Sequence, residues 1–231
     1  MSLFAMSDLH LSHYKEKPMD IFDEVWKNHT EKIWLNWKET VSDNDTVIVN
    51  GDLSWGMNMD EVRPDLEFIS KLNGKKIFIQ GNHDYFWNST AKLNTLYDNM
   101  FFLKNNFAKY ENYAICGTRG WVCPGDTRYT DHDEKIYLRE VGRLKLSINS
   151  ALKNGYSGEN IIAVMHYPPT NDKCESSLFL EVFNDCNIKR VIYGHLHGAN
   201  KYKNSLIGNV NGINYSLVSA DYLNFKPIKI L

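Results

Sequence analysis

Leu3-Phe4-Ala5-Met6-Ser7-Asp8-Leu9-His10 decides the fold. Four apolar residues, too few for a helix, run without interruption into a serine, a carboxylate and an imidazole. A short continuous apolar run suits a strand buried on both faces. Residues able to do chemistry then fall just past the end of that strand. The pattern recurs along the chain. Thr46 to Val49 leads into Asn50-Gly51-Asp52, and Ile77 to Ile79 leads into Gln80-Gly81-Asn82-His83-Asp84. Ile161 to Met165 leads into His166-Tyr167-Pro168-Pro169, and Val191 to Tyr193 into Gly194-His195-Leu196-His197-Gly198.

Helical patterns separate these runs. Ile21, Phe22, Val25, Trp26, Ile33, Trp34 and Trp37 predict one face of a helix, the tryptophans serving as packing, and Met59, Val62, Leu66, Ile69 and Leu72 predict another. The order β-α-β-α-β implies parallel strands joined by crossover helices. In the centre, Phe101-Phe102-Leu103, Ala108 to Tyr110 and Tyr113 to Cys116 read as short strands, expected to be antiparallel and able to form a second sheet. Tyr137, Val141, Leu144, Ile148 and Leu152 predict a long helix ending near Asn154-Gly155, and Asn211-Gly212 between apolar residues predicts a hairpin. No linker or repeat interrupts the pattern, so residues 1–231 are expected to form a single domain.

Composition narrows the function. With 43% hydrophobic and 23% charged residues the chain can build a large core, which excludes intrinsic disorder. Lys+Arg of 26 against Asp+Glu of 28 gives a net charge of -2, without the basic field that drives sequence-independent nucleic-acid binding. No apolar stretch approaches the ~20 residues of a membrane-spanning helix, and the first residues show no leader pattern, so the expectation is a cytoplasmic protein without a membrane partner. Cys116, Cys123, Cys174 and Cys186 match no Cys-x-x-Cys spacing and read as buried or incidental thiols. Oligomeric state is left open.

The histidines carry the chemistry. His13, His29 and His132 sit in polar surroundings, whereas His10, His83, His166, His195 and His197 all lie at or just beyond the end of an apolar run. In open α/β sheets ligands bind outside the carboxyl ends of the strands. In extended backbone, residues i and i+2 share a side, so Asp8 with His10, and His195 with His197, can each offer two ligands to one place. Oxygen and imidazole donors without thiolate suit manganese, iron, zinc, cobalt or nickel. One structural ion needs four ligands; the surplus argues for two ions sharing a carboxylate. Two divalent cations beside Asp8 and Asp52 make a cationic centre suited to a phosphate ester, with attack by metal-bound hydroxide. His83 remains, to protonate the leaving alkoxide as general acid or to stabilise the charge developing on the phosphoryl group, with Asp84 fixing its tautomer.

Asp8-Leu9-His10, Gly51-Asp52, Gly81-Asn82-His83-Asp84, His166 and Gly194-His195-Leu196-His197 resemble the five motif blocks of the calcineurin-like metallophosphoesterases, in that family's order and over residues 8 to 198. The resemblance implies an α/β fold, a two-sheet β-sandwich flanked by helices in four αββα layers, with a dinuclear site at one edge. It implies one ion on Asp8, His10, Asp52 and His197, and a second on Asp52, Asn82, His166 and His195, with Asp52 bridging. Both are divalent metal ions (Mn, Fe, Zn or Ni), with manganese favoured. The implied reaction is hydrolysis of a small-molecule phosphomonoester or phosphodiester. Gly51-Asp52-Leu53-Ser54-Trp55 and Gly117-Thr118-Arg119-Gly120-Trp121-Val122-Cys123-Pro124 look like a bacterial subgroup of phosphohydrolases. Trp55, Arg119, Trp121, Arg128 and Tyr129 lie in loop-like segments, with Arg119 foremost as a substrate contact because arginine suits a non-bridging phosphate oxygen. His13 reads either as a support for the ligands or as surface. Competing readings are a metal-binding protein-interaction scaffold of the same fold and a metal-dependent nuclease, the latter disfavoured by the charge balance.

Overall fold

Each of the five apolar runs is a strand in the computed structural model, which describes residues 1–231. The chain forms two compact units, residues 1–102 with 218–231, and residues 103–217. The first unit opens with β1 (Leu3–Met6), α1 (His29–Thr40), β2 (Thr46–Asn50), α2 (Met59–Ser70), β3 (Lys75–Ile79), α3 (Thr90–Leu93) and β4 (Met100–Phe102). β1, β2, β3 and β4 are parallel neighbours in that order. Val62, Leu66 and Ile69 of α2 and Ile33 and Trp37 of α1 are buried in the core cluster that includes Val47, Val49 and Phe78 from the sheet. Trp37 also places its indole N–H on the carbonyl of Asn73 at 3.0 Å, which satisfies the one polar atom it takes into the core.

Two expectations need correction here. The helix predicted from Ile21 onward starts only at His29; Met19–Ile21 and Glu24–Trp26 are single 3-10 turns. Asp23 caps the second turn by accepting the N–H of Val25 at 3.0 Å, and Asn28 takes φ 56°, a left-handed conformation that no α-helix can include. Ile21 and Phe22 are consequently exposed, whereas Trp26, Ile33 and Trp37 are buried. The strand around Phe101 and Phe102 is parallel to β3, not antiparallel. Its register sets Phe102 opposite Phe78, where the two rings stack at 4.6 Å, so core packing recruits it into the first sheet.

The second unit holds β5 (Phe107–Tyr110), β6 (Tyr113–Thr118), α4 (Asp131–Lys153), β7 (Ile161–Met165), α5 (Leu178–Asp185), β8 (Arg190–Tyr193), α6 (Ala199–Tyr202), β9 (Gly208–Val210) and β10 (Ile213–Leu217). Its six strands lie in the order β5-β6-β7-β8-β10-β9, the inner four parallel and the two edge strands antiparallel to their neighbours. The long helix is α4, started by a capping box between Thr130 and Asp133 and burying Tyr137, Val141, Leu144, Ile148 and Ala151. The hairpin between β9 and β10 turns on Asn211 and Gly212, both at positive φ (51° and 78°), as a two-residue primed turn requires. The chain then returns to the first unit, where β11 (Ile228–Lys229) pairs antiparallel with β1. Two mixed sheets with helices give the α/β class read from the sequence. No helix is long and apolar enough to cross a membrane.

Candidate metal centre

In the first unit the loops that leave β1 and β2 run side by side. The main-chain N–H groups of Asp8, His10 and Leu11 donate to the carbonyls of Gly51, Asp52 and Leu53 at 2.9 to 3.0 Å. Asp8 (φ 59°), His10 (φ 46°) and Asp52 (φ 50°) are held in left-handed backbone. The extended backbone expected at Asp8-Leu9-His10 is therefore replaced by a strained double turn. For residues with a Cβ this conformation costs roughly 1–3 kcal/mol each and persists only where surrounding structure enforces it. His10 and Asp52 are buried, with Nε2 and Oδ2 3.9 Å apart. The other oxygen of Asp52 accepts the main-chain N–H of His83 at 2.8 Å, and Ser7 donates its hydroxyl to the carboxylate of Asp8. A Cβ placed on Gly81 would collide with the carboxylate and main-chain nitrogen of Asp52. Only glycine lets the two loops approach so closely.

Asp84 binds these loops together. Its carboxylate accepts main-chain N–H groups from Gly81 at 2.7 Å, Leu53 at 2.9 Å and Asp52 at 3.1 Å. Asn82 and His83 follow β3 and are half-buried. Trp55 stacks on His10 (4.9 Å between ring centroids) and lies 4.5 Å from His83, and Trp26 meets His10 edge-on at 5.7 Å. His29 is a residue the sequence reading passed over. It is buried, its Nε2 stands 3.2 Å from the carbonyl of His10, and its burial pushes the imidazole below its ordinary pKa. Its polar neighbours in sequence hid this role, which only the fold reveals. His13 is tied through Nδ1 to buried Asp65 at 2.6 Å, and Asp65 also receives the hydroxyl of Ser54.

In the second unit His166 is fully buried at the end of β7. Its main-chain N–H donates to the carbonyl of Arg119 at 3.1 Å, and its own carbonyl accepts the N–H of Gly194 at 3.0 Å. His195 is again left-handed, at φ 69°. Its Nδ1 lies 3.3 Å from Nε2 of His166, and Tyr167 stacks on its ring at 4.0 Å. His197 is half-buried in the loop before α6. Arg119 pairs with Glu140 at 3.3 Å and lies 4.5 Å over the Trp121 ring. Arg128 is exposed and pairs with Asp126 at 3.2 Å, and Tyr129 is half-buried in the same loop.

The sequence profile of the calcineurin-like phosphoesterases matches residues 1–199. The chain belongs to the calcineurin-like phosphoesterase family. Among proteins similar to this chain, the uncharacterized protein MJ1445 of Methanocaldococcus jannaschii is 33% identical over 89 residues, 36% of this chain and 47% of that one. The match thus spans about half the length of that relative. Two solved structures share the fold. A protein of unknown function, AQ665 from Aquifex aeolicus, aligns with 99% of this chain and 95% of its own at 19% identity and a TM-score of 0.54. The phosphopantetheinyl hydrolase of Mycobacterium tuberculosis aligns with 100% and 95% at 15% identity and a TM-score of 0.58.

The donors fit divalent metal ions. Asp8, His10 and Asp52 stand in the first unit and His166, His195 and His197 in the second, carboxylates and imidazoles with no thiolate among them. The 3.3 Å between ring nitrogens of His166 and His195 is also the span of two ligands each ~2.0–2.1 Å from one tetrahedral ion. The 3.9 Å between His10 and Asp52 is too long for a hydrogen bond.

Proposed function

We propose that this phosphoesterase hydrolyses a phosphomonoester or phosphodiester at a centre of two divalent ions, with manganese as the preferred metal. Asp8, His10 and His197 would serve one ion and Asp52, His166 and His195 the other, with Asn82 added to the second set and Asp52 shared. The observation that carries the reading is the chemistry of the donor sets, carboxylate and imidazole without thiolate, on residues that the family match spans. Four of the donors, Asp8, His10, Asp52 and His195, also adopt left-handed backbone, as do eight other non-glycine residues of the chain. The family match runs across the boundary between the units, from residue 1 to 199, which supports reading them as halves of one domain.

The bound ions would supply Lewis acidity and a lowered pKa for water. The chain supplies the rest. His83 would give a proton to the leaving alkoxide. Its backbone is held by Asp52 through the 2.8 Å hydrogen bond, and its ring is walled by Trp55. Asp84, next to His83 in the chain, ties this loop to Gly81 before it and to Asp52 and Leu53 of the loop after β2 through three main-chain N–H groups, which would keep the His83 ring in place without spending a side chain on the substrate. Trp55, in contact with both His10 and His83, is the substrate-side residue best placed to pack against the ester's alcohol portion.

Hydrolysis of p-nitrophenyl phosphate, bis-p-nitrophenyl phosphate and a nucleotide panel tests the proposal. EDTA is expected to abolish activity and manganese to restore it. His83→Ala should lower kcat by roughly 10²- to 10⁴-fold while metal content stays unchanged. Metal-loaded protein that cleaves none of these esters would contradict the proposal.

A further inference from the structure

We propose that Glu140 and Arg119 are positioning residues for His166 and His195. The role rests on the metal-centre reading above and adds a support system on α4 that holds two of its ligands. Glu140 lies in the middle of α4 and is completely buried. A carboxylate in that position is costly unless its charge is met. Thr118 donates its hydroxyl at 2.7 Å, and Arg143, Arg119 and Arg139 approach at 2.8, 3.3 and 3.4 Å. Packing of α4 on the sheet needs none of this; an apolar residue of similar size would serve.

What the cluster does is grip the end of β6. Thr118 is the last residue of that strand and Arg119 the next. The carbonyl of Arg119 accepts the main-chain N–H groups of both His166 (3.1 Å) and Tyr167 (2.9 Å). The turn that carries His166 therefore hangs from a residue whose side chain is anchored on Glu140. A second route runs through rings. The Arg119 guanidinium lies 4.5 Å over Trp121, Trp121 is 5.1 Å from Tyr167, and Tyr167 stacks on His195 at 4.0 Å. Trp121 is itself fixed to α4, donating its indole N–H to Asp133 at 2.8 Å. The main-chain route ends at His166 and the ring route at His195, the two side chains whose nitrogens stand 3.3 Å apart. Groups that orient metal-ligating histidines typically change metal affinity 10- to 100-fold when removed.

The test compares Glu140→Gln and Arg119→Met with Arg139→Gln. Arg139 also touches Glu140 but has an exposed side chain and belongs to α4 rather than to the end of β6. Calorimetric titration with manganese should show the affinity for one ion falling 10- to 100-fold in the first two variants and unchanged in the third. In metal-free protein, the imidazole nitrogen resonances of His166 and His195 should move in the first two variants, with those of His10 and His29 unmoved. Circular dichroism identifies the folded variants; should Glu140→Gln not fold, Arg119→Met carries the comparison. Wild-type affinity with unmoved His166 and His195 resonances in a folded variant overturns the proposal, as does an equal loss in Arg139→Gln. Wild-type protein that binds no manganese refutes the metal-centre reading instead. The ring resonances of the metal-free variants then decide the positioning role alone, displacement supporting it and constancy overturning it.

Discussion

A single missing Cβ keeps the centre of the first unit together. At Gly81 any side chain would strike the carboxylate and main-chain nitrogen of Asp52, the residue proposed to be shared by both ions. The obstacle is backbone as well as side chain, so the loops themselves would have to separate. Gly81→Ala is therefore expected to lower the melting temperature and to weaken manganese binding together, read by thermal unfolding and by titration of the same sample. A variant that binds manganese as wild type does would show that the two loops can part without disturbing Asp52. Residues of this kind mark the limit of sequence reading. Asp8, His10 and Asp52 stand out in the sequence because each lies past an apolar run, but their left-handed backbone is invisible in a sequence that has no glycine at those positions. His29 was missed for the opposite reason. It sits among polar residues in the chain, and burial against the carbonyl of His10 is made by the fold.

At the scale of elements, continuous apolar runs and turn chemistry were readable because both are local. β1 and β7 have the bounds of their apolar runs, and Asn211-Gly212 makes the expected hairpin. Pairing direction and helix starts depended on distant partners. The short strand β4 joined the first sheet in parallel through Phe78, and a left-handed Asn28 cut the helix predicted from Ile21 down to one starting at His29. α4 offers a clean test of how its own stability contributes. Gly142 lies in this helix with open space where a Cβ would go, so Gly142→Ala should stabilise the protein by about 1 kcal/mol. Urea denaturation measures the gain, and a loss instead would mean that Gly142 is needed for a close approach the structure does not contain.

For the whole molecule, stability should respond to pH through a lysine that the fold has swallowed. Lys76 of β3 is buried, its ammonium donating to the carbonyl of Leu72, and burial lowers its pKa from 10.5 to about 8. Below pH 8 the folded protein must keep a charge in a poorly hydrated place. Between pH 8 and 10.5 the unfolded chain binds the proton that the folded chain has released, so this group's contribution to stability rises with pH. The stability of wild type relative to Lys76→Met should accordingly climb by up to ~3 kcal/mol across that window. Buried Cys116 and Cys123, whose thiols are pushed up to about 12, pull wild type and variant down equally in alkali and cancel in the difference. A flat difference across the window would mean that Lys76 stays solvated.

Asp8, His10, Asp52, Asn82, His166, His195 and His197 are proposed above to serve one dinuclear centre. Equilibrium dialysis of EDTA-stripped protein against manganese, with elemental analysis of the retained metal, tests it most directly. The prediction is close to two ions per chain in wild type, and fewer in both His10→Ala and His195→Ala, each of which removes one proposed ligand. No retained metal, or two ions per chain in wild type and in both variants alike, would contradict it.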